Sequence, residues 1–421
     1  MRRAKIEVAD VLRAAGAKFL RGHRGYVSRE QLRAVSDLMA CRTAAMGGHV
    51  DACDECGTVR VAYNSCRNRH CPKCQGVARA NWLAARQAEL LPVPYFHLVF
   101  TLPDCLAPVA LQNPREMYGM LFRAASQSVL ELAADAKHLG AEVGLLAILH
   151  TWGQNLMHHP HVHCVVPAGG VSPDGQRWVR PKADDFFLPV RVLSRLFRGK
   201  FIDMTKRAFA AGKLTFHGRL AERARPAAFQ HLLNLAARQD WVVYAKRPFG
   251  GPDVVLKYLA RYTHRVAIAN ERLLAFDEQQ VAFRWKDYAA AGEQKTMTLS
   301  TSEFIRRFLL HVLPSRLVRI RYYGWMANRQ RAEKLALCRR LLGIAGDHAQ
   351  DPPAEPASGE PSSAAAEQQV TDRQCPTCQT GRLIRIDSWE RPPRPPIYLQ
   401  RRRHSQRRSA PIHQHASPRP P

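Results

Sequence analysis

Five of the chain's eleven cysteines fall between residues 53 and 74, and that crowding limits the fold more than any other feature of the sequence. Cys53-Asp-Glu-Cys56 and Cys71-Pro-Lys-Cys74 are two Cys-x2-Cys turns with 14 residues between them. Zinc takes four soft ligands at tetrahedral corners, and each such turn supplies two thiolates. The simplest ligand set is Cys53, Cys56, Cys71 and Cys74. Cys66, His70 and His49 are near enough in sequence to substitute or to build a second site. An odd number of cysteines in 421 residues speaks for metal in a reducing compartment rather than for a disulfide framework. Cys375-Pro-Thr-Cys378 repeats the turn far downstream, as an isolated half-site.

Charge narrows the partner. Lys and Arg number 63 against 35 Asp and Glu, a formal net charge of +28. The last 76 residues, from Gly346, hold 11 Arg and 8 acidic residues, so +25 belongs to residues 1–345 and the folded body is itself basic. Such an excess favours a polyanion, with nucleic acid as the default. No apolar run approaches the roughly 18–20 residues that span a bilayer. Met1-Arg2-Arg3 is followed at once by Glu7 and Asp10, with no apolar stretch of the kind a secretory signal needs. The expectation is a cytoplasmic protein, in a bacterial-type cytosol and associated with the nucleoid in use, with no membrane partner. Arg67 and Arg69, inside the cysteine unit, are candidate DNA contacts.

The pattern of the chain predicts three parts: 1–92, helical and zinc-binding; 93–345, an α+β body; and 346–421, a mostly disordered tail holding 13 of the 28 prolines. Ser28 and Gln31 form a capping box ahead of Leu32, Val35, Leu38 and Met39. Tyr95–Leu102 alternates as a strand, Glu116–Ala136 reads as a helix, and Val143–Thr151 and His158–Pro167 read as strands. Further strands are expected at Trp241–Tyr244, Val266–Ala269 and Val281–Trp285. Helices are expected at Asp253–Tyr262, Thr301–Leu313 and, strongly basic, Asn328–Leu342.

Two constellations carry chemistry. In the segment His158-His159-Pro160-His161-Val162-His163, residues two apart share a strand face, so His161 and His163 project together. The competing pair His159/His161 has a proline between its members, which is disfavoured in a central strand. Two imidazoles at this spacing make a clamp for a divalent cation. Tyr258 and Tyr262 lie four apart on the helix after Gly250-Gly251-Pro252, on one face. Lys257, Arg261, His264 and Arg265 surround them. A phenol titrates near 10, so a nucleophilic tyrosine needs such cations or a base.

Together these segments resemble the rolling-circle insertion-sequence transposases whose nuclease is of the His-hydrophobe-His (HUH), two-tyrosine type. The matching stretches are Tyr63–Gln75, Trp152–Cys164, Pro248–Pro252 with Tyr258–Asn270, and Tyr323–Arg329, in family order. Cys375–Cys378 looks like the family's C-terminal turn. The resemblance implies an HUH fold, a central antiparallel sheet with flanking helices. It implies structural zinc, and a magnesium or manganese ion on His161 and His163, with Gln154 the nearest upstream candidate for a third polar ligand. It implies a tyrosine that nicks single-stranded DNA at the element's ends and at the target and leaves a 5′-phosphotyrosine. The zinc region would recognise the terminal DNA, and the basic helix around Arg329 and Arg331 would hold phosphates; self-association on DNA is compatible with this scheme. A plasmid replication initiator or relaxase, or a non-catalytic zinc-dependent DNA-binding regulator, are the competing functions.

Overall fold

The computed structural model describes residues 6–23, 25–87, 89–183, 185–249, 254, 266–287, 290, 292–344 and 374–392. In chain order its main elements are helices α1 (Val8–Gly22) and α2 (Arg29–Ala40), strands β1 (Gly48–Cys53) and β2 (Val59–Tyr63), and helix α3 (Gln75–Gln87). Strand β3 (Tyr95–Thr101), helices α4 (Ala107–Gln112) and α5 (Pro114–Ala134), and strands β4 (Gly144–Trp152) and β5 (His158–Pro167) follow. Next come the short β6 (Gly170–Val171) and β7 (Trp178–Val179), helices α6 (Val190–Ala210) and α7 (Pro226–Arg238), and strands β8 (Val243–Phe249), β9 (Leu273–Phe276), β10 (Gln280–Asp287) and β11 (Glu293–Ser300). Helix α8 (Thr301–Leu309), strand β12 (Ile320–Gly324), helix α9 (Arg331–Leu341) and strand β13 (Leu383–Trp389) complete the set.

These elements fall into two compact units, residues 1–39 with 66–361, and residues 40–65 with 362–421. Neither boundary coincides with those expected at 92/93 and 345/346. The α+β class with a central antiparallel sheet is as expected: in the larger unit five strands run in the order β12-β4-β5-β3-β8, every pair antiparallel. Alternation sorts its side chains. Phe96, Leu98, Phe100, Leu145, Ala147, Leu149, Val162, Cys164 and Val166 face a core shared with α5 and α6. Leu146, Ile148 and Val165 face the other way, into a cluster with Trp325 and Leu335. At the β4–β12 end Gly144 sits where a Cβ would come 2.7 Å from the Trp325 ring, so glycine is required by that close approach.

The larger unit also holds the N-terminal helices. Ser28 and Gln31 cap α2 reciprocally, the Ser28 N–H donating to Oε1 of Gln31 at 2.8 Å and the Gln31 N–H to Oγ of Ser28 at 3.2 Å. Helix α1 packs on α8, and the Val8 N–H donates to Oδ1 of Asn270 at 3.1 Å. The strand expected at Val266–Ala269 does not form: Val266, Ala267 and Ile268 are all buried, an irregular segment packed on every side rather than an alternating one.

The smaller unit is a three-stranded sheet, β13-β1-β2. This corrects the expectation of a disordered tail for residues 374–392, where Leu-Ile-Arg-Ile-Asp-Ser-Trp pairs antiparallel with β1. The β-rich run 383–389 stabilises a strand despite its proline-rich surroundings.

Candidate metal centre and cysteine turns

Strand β5 forms over His158–Pro167, the expected span, in the middle of the sheet. The register sets His150 of β4 opposite His161, and Ile148 opposite His163. The ligand nitrogens of His150, His161 and His163 all lie within 4.8 Å of one another. Ring centroids are 5.5 Å apart for His150 and His161, 4.4 Å for His150 and His163, and 4.8 Å for His161 and His163. His163 and His150 are buried and His161 is half-buried, so the cluster has one open side. Pro160 is accommodated in a central strand because it lies in a bulge of β5: between the pairs His150–His161 and Trp152–His158, His159 and Pro160 together stand opposite the single residue Thr151.

Neighbouring groups fix the rings. Nδ1–H of His161 donates to the His159 carbonyl at 2.7 Å, which leaves Nε2 with its lone pair. Nδ1 of His163 is hydrogen-bonded to Nε2 of His97, on β3, at 2.8 Å, which leaves Nε2 of His163 for a cation. His97 is itself buried, with its ring stacked on that of His163. His150 stacks on Trp152 at 4.7 Å between centroids. Such outer partners hold metal-binding histidines in one tautomer and orientation. Three neutral imidazoles are a chemically sound donor set for a divalent transition ion and an acceptable one for manganese.

Other histidines nearby are held neutral. Nε2–H of His311 donates to the Leu156 carbonyl at 3.0 Å while Thr151 Oγ1 lies 3.2 Å from Nδ1, and burial pushes its pKa down to about 3. His158 is 2.8 Å from the Tyr118 hydroxyl, and burial together with the charge of His159 lowers it to about 4.

Gln154, the upstream candidate for a further ligand, precedes His158 and the histidine strand. It sits on the β4–β5 turn, its carbonyl accepting from Arg272, and lines a cleft of about 710 Å³ together with His158, His159, Trp285, Lys286 and Arg306. Tyr258 and Tyr262, with Lys257, Arg261 and Arg265, lie outside the described residues. Arg67 and Arg329 are exposed. Arg69 is committed to the fold, donating to the carbonyls of Leu317 at 2.7 Å and Pro314 at 3.3 Å, and burial lowers its pKa. Arg331 lies over the Tyr322 ring, 4.9 Å from its centroid, and 3.5 Å from Glu89.

The four-cysteine set expected from the two N-terminal turns is corrected. Cys71 and Cys74 find Cys66 within their own unit, Cys66 and Cys74 with sulfurs 3.6 Å apart. Cys53 and Cys56 lie with Cys375 and Cys378 in the smaller unit. The 14-residue spacer is no simple loop, because it contains β2, which pairs back on β1. His70 is not with the thiols: its Nε2 accepts from the Leu313 N–H at 3.3 Å, and burial beside Arg69 and Arg319 lowers its pKa to about 3. Cys66 was in reach of sequence reasoning. His150 was too, since it ends the alternating run Leu146, Ile148, His150 of an expected strand.

Comparison with known proteins defines the class. A family model described as "Putative transposase" matches residues 144–334, which contain the three histidines, and one described as "Transposase zinc-binding domain", of the IS91 type, matches residues 11–102. "Putative transposase y4qJ" of Sinorhizobium fredii (strain NBRC 101917 / NGR234) is 51% identical over 406 residues, covering 94% of this chain and 98% of its own. "Transposase for insertion sequence element IS801" of Pseudomonas savastanoi pv. phaseolicola is 30% identical over 302 residues, 71% of each chain. No solved structure matches. More narrowly, the chain belongs to the rolling-circle insertion-sequence transposases of the IS91 type. It is thus a DNA-processing, zinc-binding protein, and none of its described helices is long and apolar enough to cross a membrane.

Proposed function

We propose that this transposase nicks and rejoins single-stranded DNA at the ends of its element, with Tyr258 or Tyr262 as nucleophile and His150, His161 and His163 as the ligands of a magnesium or manganese ion. The observation that carries this reading is the convergence of three imidazoles on one face of a central sheet. The bound ion would supply charge to the scissile phosphate and so lower the barrier to attack. The rest is done by the chain. The phenolic oxygen, once deprotonated, attacks phosphorus in line; the bond from phosphorus to the 3′ oxygen breaks, and that oxygen takes up a proton. A 5′-phosphotyrosine and a free 3′-OH result, and the stored linkage is returned when a 3′-OH attacks it, so joining needs no nucleotide cofactor. Two tyrosines allow donor and target strands to be held in turn.

The cleft beside the β4–β5 turn suits a single strand, since Trp285 offers a face on which a base can stack. We assign recognition of terminal DNA to the zinc-bearing region within residues 1–92 and the chemistry to 93–345, with exposed Arg67 and Arg329 on phosphates and the enzyme at work on DNA in the cytoplasm. The test is a pair of substitutions, His161→Ala and His163→Ala, assayed on a single-stranded oligonucleotide carrying the element end. Nicking should disappear while binding, set mainly by Lys and Arg on phosphates, persists. Normal nicking by either variant in magnesium or manganese would make the histidine strand ordinary core.

A further inference from the structure

The smaller unit has almost no hydrophobic interior. Among its described residues the buried apolar side chains are Cys41, Met46, Cys53 and Cys375. The residues a three-stranded sheet would ordinarily bury point outward: Val59 and Val61 on β2, and Ile384 and Ile386 on β13, are all more than half exposed. A sheet of this size without a core needs another source of stability.

That source is written in two equivalent turns. Cys53–Gly57 and Cys375–Gln379 each close a one-turn loop, the Gly57 N–H donating to the Cys53 carbonyl at 3.2 Å and the Gln379 N–H to the Cys375 carbonyl at 2.9 Å. The fifth residue of each is left-handed, Gly57 at φ 69° and Gln379 at φ 61°. Backbone N–H groups also aim at sulfur, Cys56 at Cys53 Sγ (3.5 Å) and Gly381 at Cys378 Sγ (3.3 Å). The turns face each other, with Cys53 and Cys378 sulfurs 3.7 Å apart, Cys56 and Cys375 likewise 3.7 Å, and all four within 4.8 Å. A Cβ on Gly381 would come 2.5 Å from Cys53 Sγ, so that glycine lets the second turn close on the first. The β1–β13 pairing, with Cys53 opposite Leu383, brings residues more than 300 positions apart into this register.

We infer that Cys53, Cys56, Cys375 and Cys378 hold one zinc ion of their own, a closed four-thiolate site separate from the Cys66, Cys71 and Cys74 cluster, which ties the C-terminal strand to the N-terminal cysteine region. Four sulfurs in two turns with no open position match structural zinc, and the thiols give up their protons to solvent on binding. The match to the zinc-binding domain ends at residue 102, so it contains only half of these ligands. The ion is independent of the proposed nicking chemistry.

Zinc per chain decides the matter in the full-length protein. Cys375→Ser should lower the content by one equivalent. Cys53→Ser should lower it by the same one, so that the double variant loses no more than either alone. Cys53→Ser with Cys71→Ser should lose two. Unchanged zinc in Cys375→Ser would overturn the site. The wild-type protein gives a second reading that does not depend on a variant folding. Cys56 is exposed and Cys378 partly so, hence burial cannot shield them from an alkylating reagent. Both should resist N-ethylmaleimide until a zinc chelator is added and then react together with Cys53 and Cys375, mapped by mass spectrometry. Equal reactivity before and after chelation, or resistance that only a reductant relieves, would overturn the assignment, the latter in favour of disulfides.

Discussion

Replacing His97 by Phe should weaken the proposed metal centre without touching a ligand. Nε2 of His97 meets Nδ1 of His163 at 2.8 Å, and both residues are buried. With Nε2 of His163 given to a cation, Nδ1 keeps its proton and donates it to His97. Phenylalanine keeps the stacked ring, now 9° from parallel with that of His163, but accepts nothing. A buried donor left without that partner costs about 1–3 kcal/mol. Loss of an outer partner of a metal-binding histidine lowers metal affinity roughly 10–100-fold, the same range. A titration of nicking against manganese should therefore shift its midpoint upward by about that factor, while the rate at saturating manganese stays near wild type. His97→Gln, which restores an acceptor, should bring the midpoint part of the way back. An unchanged midpoint in His97→Phe, or a lost maximal rate that no manganese concentration restores, would refute His97 as the residue that positions His163.

Three further outcomes follow from the same geometry. Tyr258→Phe with Tyr262→Phe should abolish covalent adduct formation on single-stranded DNA in a denaturing gel, while one single variant still nicks but fails to complete strand transfer. For His311, the folded pKa of about 3 lies below the ordinary 6.5, so the unfolded chain binds its proton first; the stability it contributes is complete above pH 6.5 and lost as pH falls. Urea unfolding should show a slope of up to about 1.4 kcal/mol per pH unit from this group between pH 6 and 4, and His311→Gln should remove that share of the slope. Gly144→Ala, which forces a Cβ to within 2.7 Å of the Trp325 ring, should cost about 1–3 kcal/mol in the same assay, and an unchanged midpoint would mean the β4–β12 end relaxes freely.

Much of the sheet was legible because alternation is local. Strand β5 forms with the bounds its sequence predicts, and His161 and His163 share a face because of its period. The third imidazole is legible only in part: alternation puts His150 on one face of an expected strand, but nothing in the sequence says that β4 lies beside β5 with His150 opposite His161. The cysteine turns show the same limit. Each Cys-x2-Cys is a local signal, but the partner of Cys53 and Cys56 lies more than 300 residues away, and the nearer turn was the natural wrong choice. Arg69 lies in a basic segment that suggests a DNA contact, but its guanidinium donates to the carbonyls of Pro314 and Leu317, partners that no local pattern reveals. The expectation that proline is disfavoured in a central strand fails at position 160, which lies in β5 at the bulge.

The central claim is that one ion on this sheet activates phosphate for attack by a tyrosine, and covalent capture tests it most directly. The full chain is incubated with a single-stranded oligonucleotide carrying the element end, with manganese or with a chelator, and the adduct is mapped by mass spectrometry. The account predicts a 5′-phosphotyrosine at Tyr258 or Tyr262 that is absent with the chelator and absent in His150→Ala. An adduct at another residue, or one formed equally well by His150→Ala or without a divalent ion, would contradict it.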